Sequence, residues 1–156
     1  NEIGHVNTLK MFSLIELCKR YNKLARNGFK RKIESAEDVF NMLHDRLCNE
    51  KKEHFIVLYL DTKNNVIKEE TVSVGILDSA LIHPREVFKT AIKESANAII
   101  LVHNHPSGDC EPSGDDKLIT ERLKEIGKML GINVLDHIII GKQNYYSYEA
   151  DNKVSA

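Results

Sequence analysis

The sequence predicts an α/β fold, a mixed β-sheet sandwiched by helices, and three observations carry that prediction. Residues 53–61 and 66–74 are two runs of strand formers joined by the polar turn Lys63-Asn64-Asn65, the pattern of a hairpin. A helix-period segment separates this hairpin from the apolar run 98–102, which calls for a right-handed crossover. Another helix-period segment leads to a last long apolar run, 132–140, so helices and strands alternate along the chain.

Each element has its own local reason. Leu9, Phe12, Leu14, Ile15, Leu17, Cys18 and Leu24 recur at helical spacing within 8–26, and Asn27-Gly28 supplies the stop. Ser35 stands three residues ahead of Asp38 in a capping pattern, and Val39, Phe40, Leu43 and Leu47 continue as a second helix. The run 53–61 is apolar on both faces, as a strand covered on both sides requires. Pro84 suits a first helical position, and Val87, Phe88, Ala91 and Ile92 form one stripe behind it. His103 to Gly114 holds two prolines and two glycines and is expected to lack regular structure. Leu118, Ile119, Leu123, Ile126 and Leu130 then mark a helix stopped by Gly131. Gly141 and Asn144 make a turn before a short strand at Tyr145, Tyr146 and Tyr148, and the polar tail after Ala150 is expected to fray. The domain reading is a helical N-terminal extension at 1–32, one domain at 33–150, and a tail at 151–156.

Composition bounds the function classes. With 156 residues, 42% hydrophobic and 29% charged, the chain is long enough for one real core, and no apolar run approaches the roughly 18 residues of a membrane span. The first residues, Asn-Glu-Ile-Gly, lack a secretory pattern, and Cys18, Cys48 and Cys110 share no paired spacing, so reduced thiols and a cytoplasmic location are expected. The net charge of −1 hides an asymmetry: residues 19–32 carry seven basic side chains and no acidic one, while the remainder holds 15 basic against 23 acidic residues. Such a stretch can contact phosphates or form a solvated helix face.

The polar loop after the strand 98–102 is the place to look for chemistry, because open α/β sheets put their sites at the carboxyl ends of strands. His103 and His105, one residue apart at a strand end, point to the same side, so both imidazoles can reach one ion at about 2.0–2.1 Å. Asp116 offers an anionic oxygen as a third ligand, but Ser113-x-x-Asp116 also has the form of a capping box. Two histidines and one carboxylate leave a tetrahedral position open, the arrangement of a catalytic zinc site. Glu53, at the start of a buried strand, is a candidate general base or simply a solvated end to the Lys51-Lys52-Glu53 run.

These residues resemble the JAMM metallopeptidases, or MPN-plus domains. That pattern is an upstream glutamate, then His-x-His-Pro, six residues, Ser, two residues and Asp, and the chain matches it through His103, His105, Pro106, Ser113 and Asp116. It resembles the RadC-like branch in particular through Glu53-His54-Phe55, Leu60-Asp61-Thr62-Lys63-Asn64, the stretch from Ala80 to Phe88, and Leu135-Asp136-His137-Ile138-Ile139-Ile140-Gly141. Similarity covers roughly residues 33–148. The resemblance implies a JAMM/MPN, cytidine-deaminase-like architecture and a Zn2+ ion held by His103, His105 and Asp116. It further implies that Glu53 activates the attacking water and that Ser113 stabilises the oxyanion.

The implied activity is that of a zinc metallopeptidase or isopeptidase acting on a peptide or protein tail. The alternative is a RadC-like DNA-repair or mobile-element accessory protein that contacts nucleic acid through residues 19–32. No membrane partner is expected. Among the other polar residues, His83 reads as the residue leading into a helix, His54 as packed or exposed, His137 as a satisfied strand histidine or a support behind the ligands, and Cys110 as an inert loop thiol.

Overall fold

The computed structural model describes residues 10–17, 31–75, 82–150 and 152–155, the last of these as backbone. The chain divides into two units, 1–31 and 32–156. In the first, residues 10–17 are helical (α1), within the span expected for the leading helix. The rest of that helix, Cys18 and the basic positions 19–30 lie outside the described residues.

The second unit opens with α2 (Ala36–Leu47). Ser35 begins it as expected: its hydroxyl accepts from the Asp38 amide while the Asp38 carboxylate accepts from the Ser35 amide. The hairpin follows as β1 (Glu53–Leu60) and β2 (Val66–Gly75), with α3 (Pro84–Lys93), β3 (Ala98–Asn104), α4 (Gly114–Leu130), β4 (Asn133–Ile140), β5 (Asn144–Ser147) and β6 (Asn152–Ser155) after it. Pro84 occupies the first turn of α3 and His83 its N-cap, and Gly131 ends α4 with φ 70°, a left-handed conformation that glycine adopts without steric cost.

One mixed sheet runs in the order β2-β1-β3-β4-β5-β6, with β3 and β4 parallel and the other pairs antiparallel. Its central strands are covered on both faces, which is why β1 and β3 read as continuous apolar runs. Alternate residues Ile56, Leu58, Ile100, Val102 and Ile138 pack with Val39, Phe40, Leu43 and Leu47 of α2. The interleaved residues Phe55, Val57, Tyr59, Ile99 and Leu101 pack with Val87 and Phe88 of α3 and Ile119 and Leu123 of α4. The Tyr59 hydroxyl, buried with this second layer, donates to the Val87 carbonyl at 3.2 Å.

Two differences from the sequence reading bear on the site or the sheet edge. β3 runs two residues further than expected, because His103 pairs with Phe55 on one side and His103 and Asn104 with Ile139 and Ile140 on the other. Residues 152–155, expected to fray, pair as β6 along β5, whose open edge offers unsatisfied backbone groups to any extended segment. Among the described residues no helix is long and apolar enough to cross a membrane.

Candidate metal centre

Topology builds the site. Because β1 is antiparallel to β3, its first residue lies beside the last residues of β3, and the pairing of Phe55 with His103 puts Glu53 and His105 one step beyond, on the same face. His103 is the next-to-last residue of β3, a strand buried along its whole length. His105, just past the strand, stays aligned because its amide donates to the Ile140 carbonyl at 3.1 Å. Asp116 arrives from the first turn of α4, where its carboxylate accepts from the Ser113 amide at 2.8 Å and the Ser113 hydroxyl at 2.6 Å. The capping box and the clustered carboxylate are therefore one structure, and the helix N-terminus favours the anion held there.

The three side chains meet closely. Nε2 of His103 lies 3.0 Å from Nε2 of His105 and 3.1 Å from Oδ1 of Asp116, and Nε2 of His105 lies 3.4 Å from Oδ2. One ligand atom from each falls within 4.8 Å of the others. His103 is fully buried and Asp116 nearly so, whereas the His105 side chain is 14% exposed, so the cluster opens to solvent on the His105 side.

Hydrogen bonding behind the cluster shows what these atoms offer. Nδ1 of His105 lies 2.8 Å from the Asp109 carbonyl, which can only accept, so Nδ1 carries the hydrogen and neutral His105 presents a bare lone pair at Nε2. That lone pair, the facing ring nitrogen of His103 and a buried carboxylate form a set of two nitrogens and an oxygen that suits a zinc-like cation.

Electrostatics agree. Burial raises the Asp116 pKa, but hydrogen bonds to His103, His105 and Ser113 outweigh it and hold the carboxyl far below the usual carboxylate range. Burial lowers His103, against the pull of Asp116, and keeps it neutral. Burial also lowers His105, but its bonds to Asp116 and to the Asp109 carbonyl, with the charges of Asp116 and Glu53, lift it above its ordinary 6.5. The His105 proton and a metal compete for one lone pair. Affinity for a metal ion at this cluster is therefore expected to be full above this raised pKa and to fall by about tenfold per pH unit below it, as one displaced proton requires. Chelator competition between about pH 5.5 and 8.5 measures this, and a flat profile refutes it.

The comparisons with known proteins fit this geometry. A family model described as RadC-like JAB domain matches residues 33–154. The chain belongs to the RadC-like JAB family. A UPF0758 protein of Methanosarcina mazei is 47% identical over 154 residues, covering 99% of this chain and 67% of the relative. Similar proteins of the same designation occur in Pelodictyon phaeoclathratiforme, 53% identical over 94% of this chain and 65% of the relative, and in Chlorobium phaeovibrioides, 48% identical over 98% and 68%. The chain thus spans about two thirds of the length of these relatives.

This RadC-like JAB domain brings His103, His105 and Asp116 together, and Glu53 sits at the same strand end, half-buried, where its charge acts on both imidazoles. Ser113 caps α4 and binds the Asp116 carboxylate. His54 faces away, with Nε2 3.6 Å from Glu50, and Cys110 is buried outside the ligand group.

Two residues matter that the sequence did not single out, Asn104 and Thr120, and His137 takes the supporting place that the sequence left open beside that of a satisfied strand histidine. Asn104, between the two histidines, accepts from the His54 amide through Oδ1 at 2.9 Å and donates through Nδ2 to the Lys52 carbonyl at 3.1 Å, clamping the backbone on both sides of Glu53. His137 lies with Nε2 2.8 Å from Nδ1 of His103, and Thr120 bonds Nδ1 of His137. The partners of Asn104 lie about fifty residues upstream, which local pattern does not reveal; for His137 the signal is a histidine between Asp136 and an apolar run, inside a strand.

The loop carrying His105 leans on the β4–β5 turn. Lys142 donates its amide to the Gly108 carbonyl at 3.0 Å, and a Cβ on Gly141 would stand 2.7 Å from that same oxygen and 2.4 Å from Asn144 Oδ1. Gly141→Ala is therefore expected to cost about 1–3 kcal/mol by overpacking and to weaken metal binding by displacing the loop. Denaturant midpoints of metal-free protein test it, and an unchanged midpoint removes the argument.

Proposed function

We propose that the chain is a zinc-dependent metallopeptidase or isopeptidase that hydrolyses an amide bond in a flexible peptide or protein tail. The observation that carries this reading is the convergence of His103, His105 and Asp116 at a partly open strand end, with Glu53 delivered beside them by the β1–β3 register. When bound, zinc supplies a Lewis acid that polarises the scissile carbonyl and lowers the pKa of a coordinated water toward about 7. Glu53 accepts a proton at its carboxylate and returns it to the leaving amine. Ser113 orients Asp116 and, when its O–H swings from Oδ2 toward substrate, donates to the developing oxyanion. Asn104 keeps the Glu53 backbone in register. The cysteines share no paired spacing in the sequence, and a cytoplasmic setting belongs to the same proposal.

The test is hydrolysis of a panel of peptide and isopeptide amides by the zinc-loaded protein, abolished by chelation and restored by zinc. Wild-type protein that binds no zinc, or cleavage that survives chelation, overturns the reading. The alternative, a nucleic-acid accessory role through residues 19–32, rests mainly on positions outside the described residues; of the two described, Lys32 pairs with Glu34. A DNA affinity that falls steeply with salt and disappears on reversing those charges would favour it.

A further inference from the structure

Behind the His103 ring a chain of side chains runs away from the cluster and returns to it. Nδ1 of His103 lies 2.8 Å from Nε2 of His137, Nδ1 of His137 bonds the Thr120 hydroxyl, and Thr120 bonds the main-chain carbonyl of Asp116 one helical turn back. The chain begins on one member of the candidate ligand set and ends on the backbone of another. His103, His137 and Thr120 are all fully buried. The His137 ring is held from two sides, with Tyr148 stacked on it at 5.2 Å and 11° and Phe55 edge-on at 5.7 Å and 70°. A ring so packed presents its two nitrogens in fixed directions.

Resting on the zinc reading, we propose that His137 and Thr120 are positioning residues that lock His103 in the metal-ligating tautomer and tie it to the helix turn that presents Asp116. Once Nε2 of His103 is a ligand, its hydrogen must sit on Nδ1, which donates to Nε2 of His137. His137 then carries its own hydrogen on Nδ1 and donates to Thr120, and Thr120 donates to the Asp116 carbonyl, which can only accept. Every proton has one place, and no donor or acceptor along the chain is left over. With His103 not ligated its hydrogen can sit on Nε2 and donate to Oδ1 of Asp116 at 3.1 Å, and His137 and Thr120 then each turn their hydrogen toward His103, which leaves the Asp116 carbonyl without the Thr120 bond. Metal binding therefore selects the one direction in which every bond of the chain is made.

The experiment combines affinity with a direct reading of the tautomer. Zinc affinity is measured by chelator competition for wild type, His137→Phe, His137→Gln and Thr120→Val, with thermal unfolding of the metal-free proteins as the control for folding. His137→Phe keeps the ring volume and removes the acceptor, and a loss of about 10- to 100-fold is expected, the usual effect of removing a partner behind a metal-bound histidine. His137→Gln offers an acceptor again and is expected to recover part of the loss. Thr120→Val, a conservative change in shape, is expected to fall between, and it carries the test if His137→Phe unfolds. Two-bond proton–nitrogen correlation of the imidazoles in the zinc-loaded protein is expected to show neutral His103 and His137, each protonated at Nδ1. Variant affinities within twofold of wild type, or His137 protonated at Nε2 in the loaded protein, overturn the proposal while leaving the zinc reading standing. A wild-type protein that binds no zinc overturns both.

Discussion

Asp116→Asn is expected to abolish stoichiometric zinc binding while the protein stays folded. Wild-type protein is expected to hold close to one zinc per chain, and the substitution removes its only anionic contributor to the candidate ligand set. The loss exceeds the roughly 10- to 100-fold that an outer partner commands, because a coordinating atom itself is exchanged for a neutral amide. The fold survives for a reason visible in the first turn of α4. An asparagine side-chain oxygen can still accept from the Ser113 amide, so the helix start keeps its reciprocal cap and the cost stays within about 1 kcal/mol. Its amide hydrogens can also meet the imidazole lone pairs that a cation would otherwise take. Zinc at a hundredfold over its dissociation constant stabilises a binder by about 2.7 kcal/mol, so wild type gains thermal stability on adding zinc and the variant does not. Metal content after dialysis and paired melting curves check both statements, and one zinc retained per variant chain removes Asp116 from the ligand set.

Glu53→Gln separates binding from chemistry. Its position at the end of β1, outside the three-residue cluster, predicts that the variant loads zinc as wild type does, while loss of the proton acceptor lowers turnover by about 10²- to 10⁴-fold. The glutamine keeps the length of the side chain, and the Asn104 clamp on the flanking peptide groups does not involve the substituted atoms, so structural explanations for a loss are few. A turnover assay on any amide that the wild type cleaves, run beside metal analysis, decides it. Loss of zinc would make Glu53 a ligand; full activity would remove it from the mechanism.

The parts of this protein that the sequence makes legible are those specified by neighbours along the chain. Ser35 with Asp38, Pro84 after His83, and Ser113 with Asp116 and Gly131 mark helix ends through bonds that span three or four residues or a single backbone angle. The two-faced apolar strands announce a covered sheet, and the family pattern from His103 to Asp116 marks a cluster that one strand end and one helix start hold. β6 escaped notice because a single Val154 among three polar residues carries no period, and its pairing is decided by the free edge of β5.

Residue order alone thus determines the α/β class and most of the helix and strand limits, since each depends on short-range geometry or on alternation that any reader of the chain can count, while the candidate ligand set is legible through the resemblance to a family pattern. Only the tertiary structure decides that Glu53 stands beside that set, that Asn104 grips the peptide groups around it, and that His137 and Thr120 close a hydrogen-bonded path behind His103. Those contacts join residues 17 to 52 positions apart. They exist because an antiparallel register and a helix crossover bring the segments into contact, and neither register nor packing depth is written in the identity of any single residue.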